Sequence, residues 1–256
     1  MFKSVQGLVT NTKNGGRVYD PVITEYRCVE QRECEKHGMY DAIFSNGDFL
    51  RDYEQRCPHC AKEAILKSKL GGRDGIAKRF QRCSFDSYEV SNDNQATVKE
   101  ILEAFARDFE MHFEEGTPVL LLGGVGTGKT HLACSIANEI AKRGYNSVFR
   151  SVAELIRSIR ACWGSGGKEE AELIAFYKNV DLLIIDEVGV QAGSDNVRNI
   201  LFDIINGRYE EMKPTILISN ETIDGFTRTV GQRIASRLQQ DGIFLPFSWS
   251  DYRVGG

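Results

Sequence analysis

The sequence has no apolar run long enough to cross a bilayer. Its longest runs, such as Pro118 to Leu122 and Leu182 to Ile185, are far shorter than the ~20 residues that a membrane-spanning helix needs. The N-terminal segment MFKSVQGLVTNTKNGG contains no continuous apolar stretch followed by a small-residue cleavage site. We therefore expect no membrane contact, no secretion and a cytoplasmic location.

A strong charge of either sign is missing as well. The 256 residues carry 32 basic and 36 acidic side chains, which gives a formal net charge of −4. Up to Arg79 there are 14 basic and 11 acidic side chains, and after it 18 and 25. Attraction of the whole molecule to nucleic acid is therefore excluded, and any such contact must use a local patch.

The length and the pattern indicate one full domain and a small extra module. Residues 1–65 hold clustered Cys and His with few apolar runs, residues 66–95 are typical of a connector, and residues 96–256 alternate apolar strands with amphipathic helices. This alternation predicts an α/β domain with a central parallel sheet and flanking helices. Predicted strands cover 119–122, 147–149, 181–185, 215–219 and 243–247, and predicted helices cover 128–144, 152–161, 168–178, 195–209 and a segment that includes Arg233 and Arg237.

A glycine-rich motif lies between the first of these strands and the following helix. It fits the GxxxxGK[ST] phosphate-binding loop, or P-loop, in which backbone N–H groups and a helix N-terminus face phosphate oxygens. Lys129 is expected at the β and γ phosphates of ATP or ADP, and the Thr130 hydroxyl at Mg²⁺. A glycine turn with a stray lysine is the alternative. The nucleotide-binding residues that we assign are Gly123, Gly124, Val125, Gly126, Thr127, Gly128, Lys129, Thr130, His131 and Asp186.

Two acidic residues, Asp186 and Glu187, follow the buried run Leu182 to Ile185. Ligands bind at the carboxyl ends of strands in open parallel sheets, so Asp186 is expected to hold Mg²⁺ and Glu187 to orient the attacking water. Capping of the next helix is the alternative. Asn220 ends another apolar strand, which we expect between the two others, and it would face the γ-phosphate and the water.

Two arginines, Arg233 and Arg237, are spaced i and i+4 and so share one helical face. Arginine suits forked contacts with phosphate. A ring-forming ATPase completes its site with an arginine from the neighbouring subunit, so we assign Arg237 as this finger and Arg233 as a second phosphate or interface contact. A solvated helix face is the alternative.

Four metal-ligand residues form two short pairs near the N-terminus. Cys34 with His37 and Cys57 with Cys60 are separated by about twenty residues, which is typical of a structural Zn²⁺ site. A hairpin with Asn46-Gly47 at its turn is predicted between the pairs.

Cys28 and His59 compete with His37 for one zinc vertex, and a metal-free module with buried cysteines is a further alternative. Three other cysteines are assigned to packing, namely Cys83, Cys134 and Cys162.

Five phrases in order, GVGTGKTHLACSIANEI, NVDLLIIDEVGVQ, ILISN, GQRIASRL and FLPFSWSDYR, resemble the bacterial DnaC-type helicase loaders and, more distantly, the DnaA initiator and the IstB transposition helper. The resemblance covers about Gly75 to Arg253. It implies an AAA+ core of the initiator type that forms an oligomeric spiral, binds single-stranded DNA and escorts the replicative hexameric helicase. It also implies an insertion at about Val152 to Asn179, in which Arg157 and Arg160 are available for phosphates, and a curtailed lid.

The first 65 residues depart from the helical N-terminal region of the best-known loaders. The favoured hypothesis is a Mg²⁺-dependent ATPase that loads a helicase during DNA replication. The alternatives are a transposition helper that binds duplex DNA and a transposase, or a zinc-dependent adaptor with negligible turnover. A P-loop kinase is disfavoured, because it has no role for the acidic pair and the arginine pair.

Overall fold

The computed structural model describes residues 27–45, Cys57, Cys60, 76–163, 167–189 and 195–252. The chain divides into two compact units, one up to Ser68 and the other from Lys69 onward. None of the helices among the described residues is both long enough and apolar enough to cross a membrane.

The first unit contains an antiparallel hairpin of strands β1 (Arg27–Cys34) and β2 (Gly38–Ser45). The chain reverses at residues 35–37, and Gly38 has a left-handed φ of 71° that fits a tight turn. β2 thus pairs with the strand before it, and the hairpin that we predicted after it, with its turn at Asn46-Gly47, is not tested. Asn46 and Gly47 lie outside the described residues.

The second unit is built on five parallel strands: β3 (Val119–Gly123), β4 (Ser147–Ser151), β5 (Leu182–Asp186), β6 (Thr215–Ser219) and β7 (Ile243–Phe247). Their order in the sheet is β4-β5-β6-β3-β7. Four of them are buried along most of their length, as the continuous apolar runs of β3, β5 and β6 predict, whereas β4 also buries Ser147 and Arg150. The predicted position of β6 between β3 and β5 is confirmed.

Eight described helices accompany this sheet. They are α1 (Asp93–Arg107), α2 (Phe109–Glu115), α3 (Lys129–Ala141), α4 (Val152–Ala161), α5 (Lys168–Asn179), α6 (Asp195–Glu210), α7 (Ile223–Val230) and α8 (Gln232–Asp241). Local signals explain where several begin. Ser151 and Glu154 form a reciprocal capping box on α4, and the Asn92 side chain caps α1. The chain after α3 leaves the helix through Gly144, whose φ is 86°.

Residues that we assigned to the connector belong to the second unit and pack in its core. Ile76, Cys83, Phe85 and Tyr88 are buried among residues of the sheet and helices. The Asn138 side chain of α3 donates hydrogen bonds to three backbone carbonyls in this segment, at 2.8 to 3.4 Å. These buried apolar residues are spaced with neither the helical nor the strand period. Because Gly, Lys and Asn surround them, the sequence pattern did not indicate that they belong to the core.

A fully buried arginine joins the beginnings of two central strands. The Arg208 guanidinium donates to the Thr215 hydroxyl at 2.9 Å and to the carbonyl oxygens of Tyr177, Val180 and Pro214 at 2.6 to 2.8 Å. Burial lowers its pKa to about 9, opposed by the charge of Asp181. These contacts fix the ends of β5 and β6 opposite to those that carry Asp186 and Asn220.

Candidate functional site: a nucleotide cavity and a Cys3His cluster

The P-loop connects β3 to α3 as the sequence predicts. The Lys129 ammonium group is buried and donates to the carbonyl oxygens of Gly123 and Gly124 at 2.7 and 2.6 Å. The Thr127 hydroxyl donates to the Gly124 carbonyl at 2.9 Å. Lys129 is thus held inside the loop, at the N-terminus of a helix whose first-turn N–H groups favour an anion.

The acidic pair meets the P-loop at the end of β5. The Thr130 hydroxyl donates to Asp186 Oδ2 at 2.7 Å, and the backbone N–H of Glu187 donates to Asp186 Oδ1 at 2.7 Å. Burial raises the pKa of Asp186, while these two hydrogen bonds and the Lys129 charge oppose the shift. A hydroxyl and a carboxylate so close together supply the hard oxygen ligands that Mg²⁺ prefers, so these residues fit the ion.

Glu187 and Asn220 lie at neighbouring strand ends. Glu187 has a φ of 60°, which is uncommon for a residue with a side chain and which costs about 1 kcal/mol or more. Such strain is typical of functional positions. Asn220 directly follows β6, and both side chains line the same cavity.

One cavity of about 390 Å³ collects most of the predicted nucleotide-site residues. Those that line it are Val125, Gly126, Thr127, Gly128, Lys129, Thr130, His131, Asp186, Glu187 and Asn220. Gly123 and Gly124 enter the site through the carbonyls that accept from Lys129. The His131 ring also contacts the segment before α1, since its Nε2 lies 3.2 Å from the Ser87 hydroxyl and 3.0 Å from the Ser84 carbonyl oxygen.

The cavity has further walls that motif analysis did not assign. They are contributed by Arg79, Phe80, Ser87, Tyr88, Glu89, Gln95 and Tyr252. All of them except Tyr252 lie in residues 66–95, which the sequence indicated to be a connector. No local spacing rule identifies these residues, because they reach the cavity through long-range packing.

The two arginines of α8 lie elsewhere. Neither Arg233 nor Arg237 lines the cavity of its own chain. Arg233 is exposed, whereas Arg237 donates to Asn206 Oδ1, lies 4.0 Å from Glu210 Oε1 and stacks over the Tyr209 ring at 4.7 Å. A role in the nucleotide site therefore requires a second copy of the chain, and the finger assignment stays a prediction.

The predicted insertion forms α4 and α5 between β4 and β5. Arg157 and Arg160 are exposed on α4, one turn apart. The Arg160 guanidinium lies 5.6 Å from the centre of the Trp163 ring, which is 48% exposed. This face therefore offers two cations and an aromatic surface to solvent.

The four predicted zinc ligands converge in the first unit. Their ligand atoms all lie within 4.8 Å of one another. His37 Nδ1 is 3.6 Å from Cys34 Sγ, 3.6 Å from Cys57 Sγ and 3.4 Å from Cys60 Sγ, and the Cys34 and Cys60 sulfurs are 3.6 Å apart. Tetrahedral zinc with ordinary bond lengths requires about 3.8 Å between two sulfurs and about 3.6 Å between sulfur and nitrogen. The cluster fits zinc.

The turn between β1 and β2 supports this cluster. A backbone hydrogen bond from Lys36 and the His37 side chain lower the pKa of the Cys34 thiol to about 6. The side chains of Cys28 and His59 lie outside the described residues, so their competition with His37 stays open. Cys83 and Cys134 are buried in the core of the second unit, and Cys162 is half-buried against α4.

Most of the second unit matches a known protein family. The family described as IstB-like ATP binding protein matches residues 73–238. The replicative helicase loader DnaC of Escherichia coli K12 is 30% identical over 191 residues, which cover 74% of this chain and 77% of that protein. The DnaC loader of Buchnera aphidicola (strain APS) is 29% identical over 219 residues, with 82% and 88% coverage.

Solved structures agree with this placement. A crystal structure of the DnaC helicase loader aligns with a TM-score of 0.61 and 25% identity, covering 66% of this chain and 99% of that one. The replication initiator DnaA bound to AMPPCP and single-stranded DNA aligns with a TM-score of 0.57 and 27% identity, covering 66% and 50%. The sheet and helices are those of an AAA+ core. Because the family match spans more than half of the sequence, this chain belongs to the family of IstB-like ATP binding proteins.

Proposed function

We propose that this protein is an ATP-dependent loader of a replicative DNA helicase onto single-stranded DNA. The observation that carries the proposal is the convergence of Lys129, Thr130, Asp186, Glu187 and Asn220 on one cavity. This cavity lies in a chain that is similar, over most of its length, to proteins named replicative helicase loaders.

The side chains of the cavity account for ATP hydrolysis. Lys129 binds the β and γ phosphates, and Thr130 with Asp186 holds Mg²⁺, which supplies charge stabilisation when bound. The Glu187 carboxylate orients and polarises the attacking water, and the Asn220 amide lies beside it as a second polar contact. The hydrogen bonds that Asp186 accepts from the Thr130 hydroxyl and the Glu187 backbone preorganise this arrangement.

Completion of the site requires self-assembly. Arg237 is held on α8 by Asn206, Glu210 and Tyr209, outside its own cavity. We assign it to the γ-phosphate of the neighbouring copy, where an arginine stabilises transition-state charge, and Arg233 to the same interface. ATP bound between copies then sets their spacing.

Single-stranded DNA is assigned to the exposed face of α4. Arg157 and Arg160 supply phosphate contacts, and the Trp163 ring supplies a surface on which a base can stack. A local patch of this kind is what the overall net charge of −4 allows.

The Cys3His cluster is assigned to one structural zinc ion. Four protein ligands leave no open position for a reactive water, so the ion stabilises the hairpin module and performs no catalysis. This module is the part of the chain that we assign to contact with a partner protein or with nucleic acid.

Co-purification with a replicative helicase tests the proposal. The protein should retain the helicase in ATP and release it in ADP, and the mixture should place the helicase on circular single-stranded DNA. Lys129→Ala, which removes the phosphate contact, should fail in both steps. Absence of helicase retention in ATP, with nucleotide binding intact, would rule out the loader assignment.

A transposition helper is the second candidate function, because the matching family is described as IstB-like ATP binding protein. Such a protein would bind duplex DNA in preference to single strands and would retain a transposase instead of a helicase. Competition between duplex and single-stranded oligonucleotides of equal length separates the two functions.

A further inference from the structure

The segment that follows β7 runs along the P-loop. The Trp249 indole N–H donates to the carbonyl oxygen of Thr127 at 2.9 Å. Three residues later, the backbone N–H of Tyr252 donates to the carbonyl oxygen of Gly126 at 3.1 Å. Two successive carbonyls of the P-loop therefore accept hydrogen bonds from residues 249–252. No sequence motif predicted a catalytic or binding role for these residues.

A second donor reaches the Thr127 carbonyl from the segment before α1. The Tyr88 hydroxyl donates to it at 3.3 Å. Burial raises the pKa of Tyr88 to about 12, so the phenol keeps its proton and remains a donor at neutral pH. A carbonyl oxygen has two lone pairs, and here an indole and a phenol occupy both.

At two positions, the P-loop lies so close to a neighbouring side chain that only glycine fits. At Gly126, with a φ of 74°, an added Cβ would lie 1.6 Å from Asp251 Oδ1. At Gly128, with a φ of 90°, it would lie 2.4 Å from Tyr88 Cε2. Asp251 and Tyr88 thus fill the space beside these two glycines, and the loop cannot shift toward them without moving their side chains.

The same segments meet again at the rim of the cavity. The Tyr252 hydroxyl donates to Glu89 Oε2 at 2.9 Å, and both residues line the cavity. The Trp249 ring packs against Phe247 at the end of β7, with 4.8 Å between ring centres. The segment is therefore anchored to the sheet at one end and to the rim at the other.

We infer that Trp249 and Tyr88 are positioning residues for nucleotide binding. By binding the Thr127 carbonyl, they fix the orientation of the peptide group between Thr127 and Gly128, and so of its N–H, before the phosphates arrive. The inference rests on the proposed ATP-binding function and extends it to residues outside the nucleotide motifs. Preorganised donors bind an anion more tightly because no ordering of the loop is needed on binding. Phosphate occupancy and the conformation of residues 249–252 are consequently coupled.

Substitutions that remove only the donors test this role. Trp249→Phe keeps an aromatic ring against Phe247, and Tyr88→Phe keeps the packing beside Gly128. The double variant should bind Mg-ATP about tenfold more weakly, as expected from the loss of two neutral hydrogen bonds, and turnover at saturating ATP should change by a smaller factor. Tyr145→Phe is the matched control, since it also removes a phenol hydroxyl but from a ring that packs against Phe109 and Phe113 and does not line the cavity, and its affinity should equal that of the wild type.

A fluorescence titration gives a readout that a purely structural role would not change. In a Trp163→Phe background, Trp249 is the remaining tryptophan of the 256 residues. Its emission should shift on addition of Mg-ADP, with the midpoint of the independently measured binding curve, and Lys129→Ala should abolish the shift. If the wild type binds no nucleotide, the proposed function fails. If it binds while the double variant has wild-type affinity, or the Trp249 emission does not respond, the positioning role is excluded.

Discussion

At the scale of single residues, the site contains two side chains, those of Asp186 and Glu187, in positions that are unfavourable for them. Asp186 is a carboxylate in a mostly buried position, and Glu187 has a backbone conformation that side chains disfavour. Both costs are tolerated because Thr130 and the backbone bind Asp186 and because β5 fixes the direction in which the chain leaves the sheet. Strain and unfavourable burial are concentrated where phosphate chemistry is proposed.

Glu187→Gln tests the proposed water-orienting carboxylate. The amide keeps the size of the side chain and the backbone hydrogen bond to Asp186, but it cannot accept a proton. We expect ATP turnover to fall by about 10²-fold or more while Mg-ATP affinity stays near the wild-type value. Steady-state hydrolysis and equilibrium binding measure the two effects, and turnover within twofold of the wild type would exclude a role for Glu187 in hydrolysis.

His112 predicts a pH dependence of stability that is separate from the site. Its ring stacks on Phe105 at 4.4 Å and its Nδ1 lies 3.1 Å from the Thr117 hydroxyl. Burial lowers its pKa below the ordinary 6.5, against the opposing charges of Glu115 and Asp108. The unfolded chain then binds the proton more readily, so the free energy of unfolding decreases as the pH falls below about 6.5.

The variant His112→Gln should remove this part of the pH dependence. Denaturant unfolding at pH 7.5 and pH 5.5 measures the loss of stability in each protein. We expect the wild type to lose more stability than the variant between these values. Equal losses would show that His112 titrates alike in the folded and unfolded chains.

At the scale of elements, the two units are stabilised in different ways. The sheet of the second unit has continuous apolar strands with helices packed against it, which suffices for a stable core. The first unit offers a two-stranded hairpin, and such hairpins are at best marginally stable alone. The proposed zinc ion would provide the missing free energy, because its affinity for the folded cluster is also folding free energy.

Metal removal should therefore affect one unit and spare the other. We expect one zinc ion per chain by elemental analysis, and a strong chelator should cause rapid amide hydrogen exchange across residues 27–45. Protection in β3, β5 and β6 and the affinity for ATP should be unchanged. Cys57→Ser should reproduce the chelated state without chelator. Full protection of the hairpin in zinc-free protein would contradict a structural role of the metal.

At the scale of the whole molecule, the role that we propose for Arg237 requires copies of the chain to assemble. Every proposed binding group for Mg-ATP is supplied by one chain except the arginine, which lies on α8 outside its own cavity. Hydrolysis should consequently increase with protein concentration, as assembly brings α8 to a neighbouring site.

Arg237→Ala tests this arrangement. The variant should bind ATP with wild-type affinity but lose the stimulation of hydrolysis by assembly, because the transition-state charge loses its arginine. Arg237→Lys should recover only part of it, since lysine lacks the forked geometry. A mixture is the sharpest measurement: Arg237→Ala chains keep an intact acidic pair, and Glu187→Gln chains keep the arginine. Mixing the two inactive variants should restore activity at their shared interfaces, and an inactive mixture would exclude a finger supplied in trans.

Much of the second unit could be predicted from the sequence because its signals are local. The five strands, the P-loop and the helices after it, apart from α7, follow from apolar patterns, glycine spacing and caps within short windows. The zinc ligands were also identified from their spacing, and the structure brings them together. The pairing of β1 with β2 was not predicted, because the Cys34 to His37 turn has no strong turn dipeptide, and the hairpin predicted at Asn46-Gly47 stays a prediction, since its turn lies outside the described residues.

The sequence by itself thus determined the parallel α/β architecture, the phosphate motif, the acidic pair and the metal-ligand set, since each depends on neighbours within a few positions. The tertiary structure alone decided which other residues wall the cavity and hold the P-loop. Trp249 and Thr127 are 122 positions apart, and Tyr88 and Thr127 are 39 apart. Contacts over such separations are fixed by how the sheet and its flanking segments pack, and no local pattern of residues encodes them.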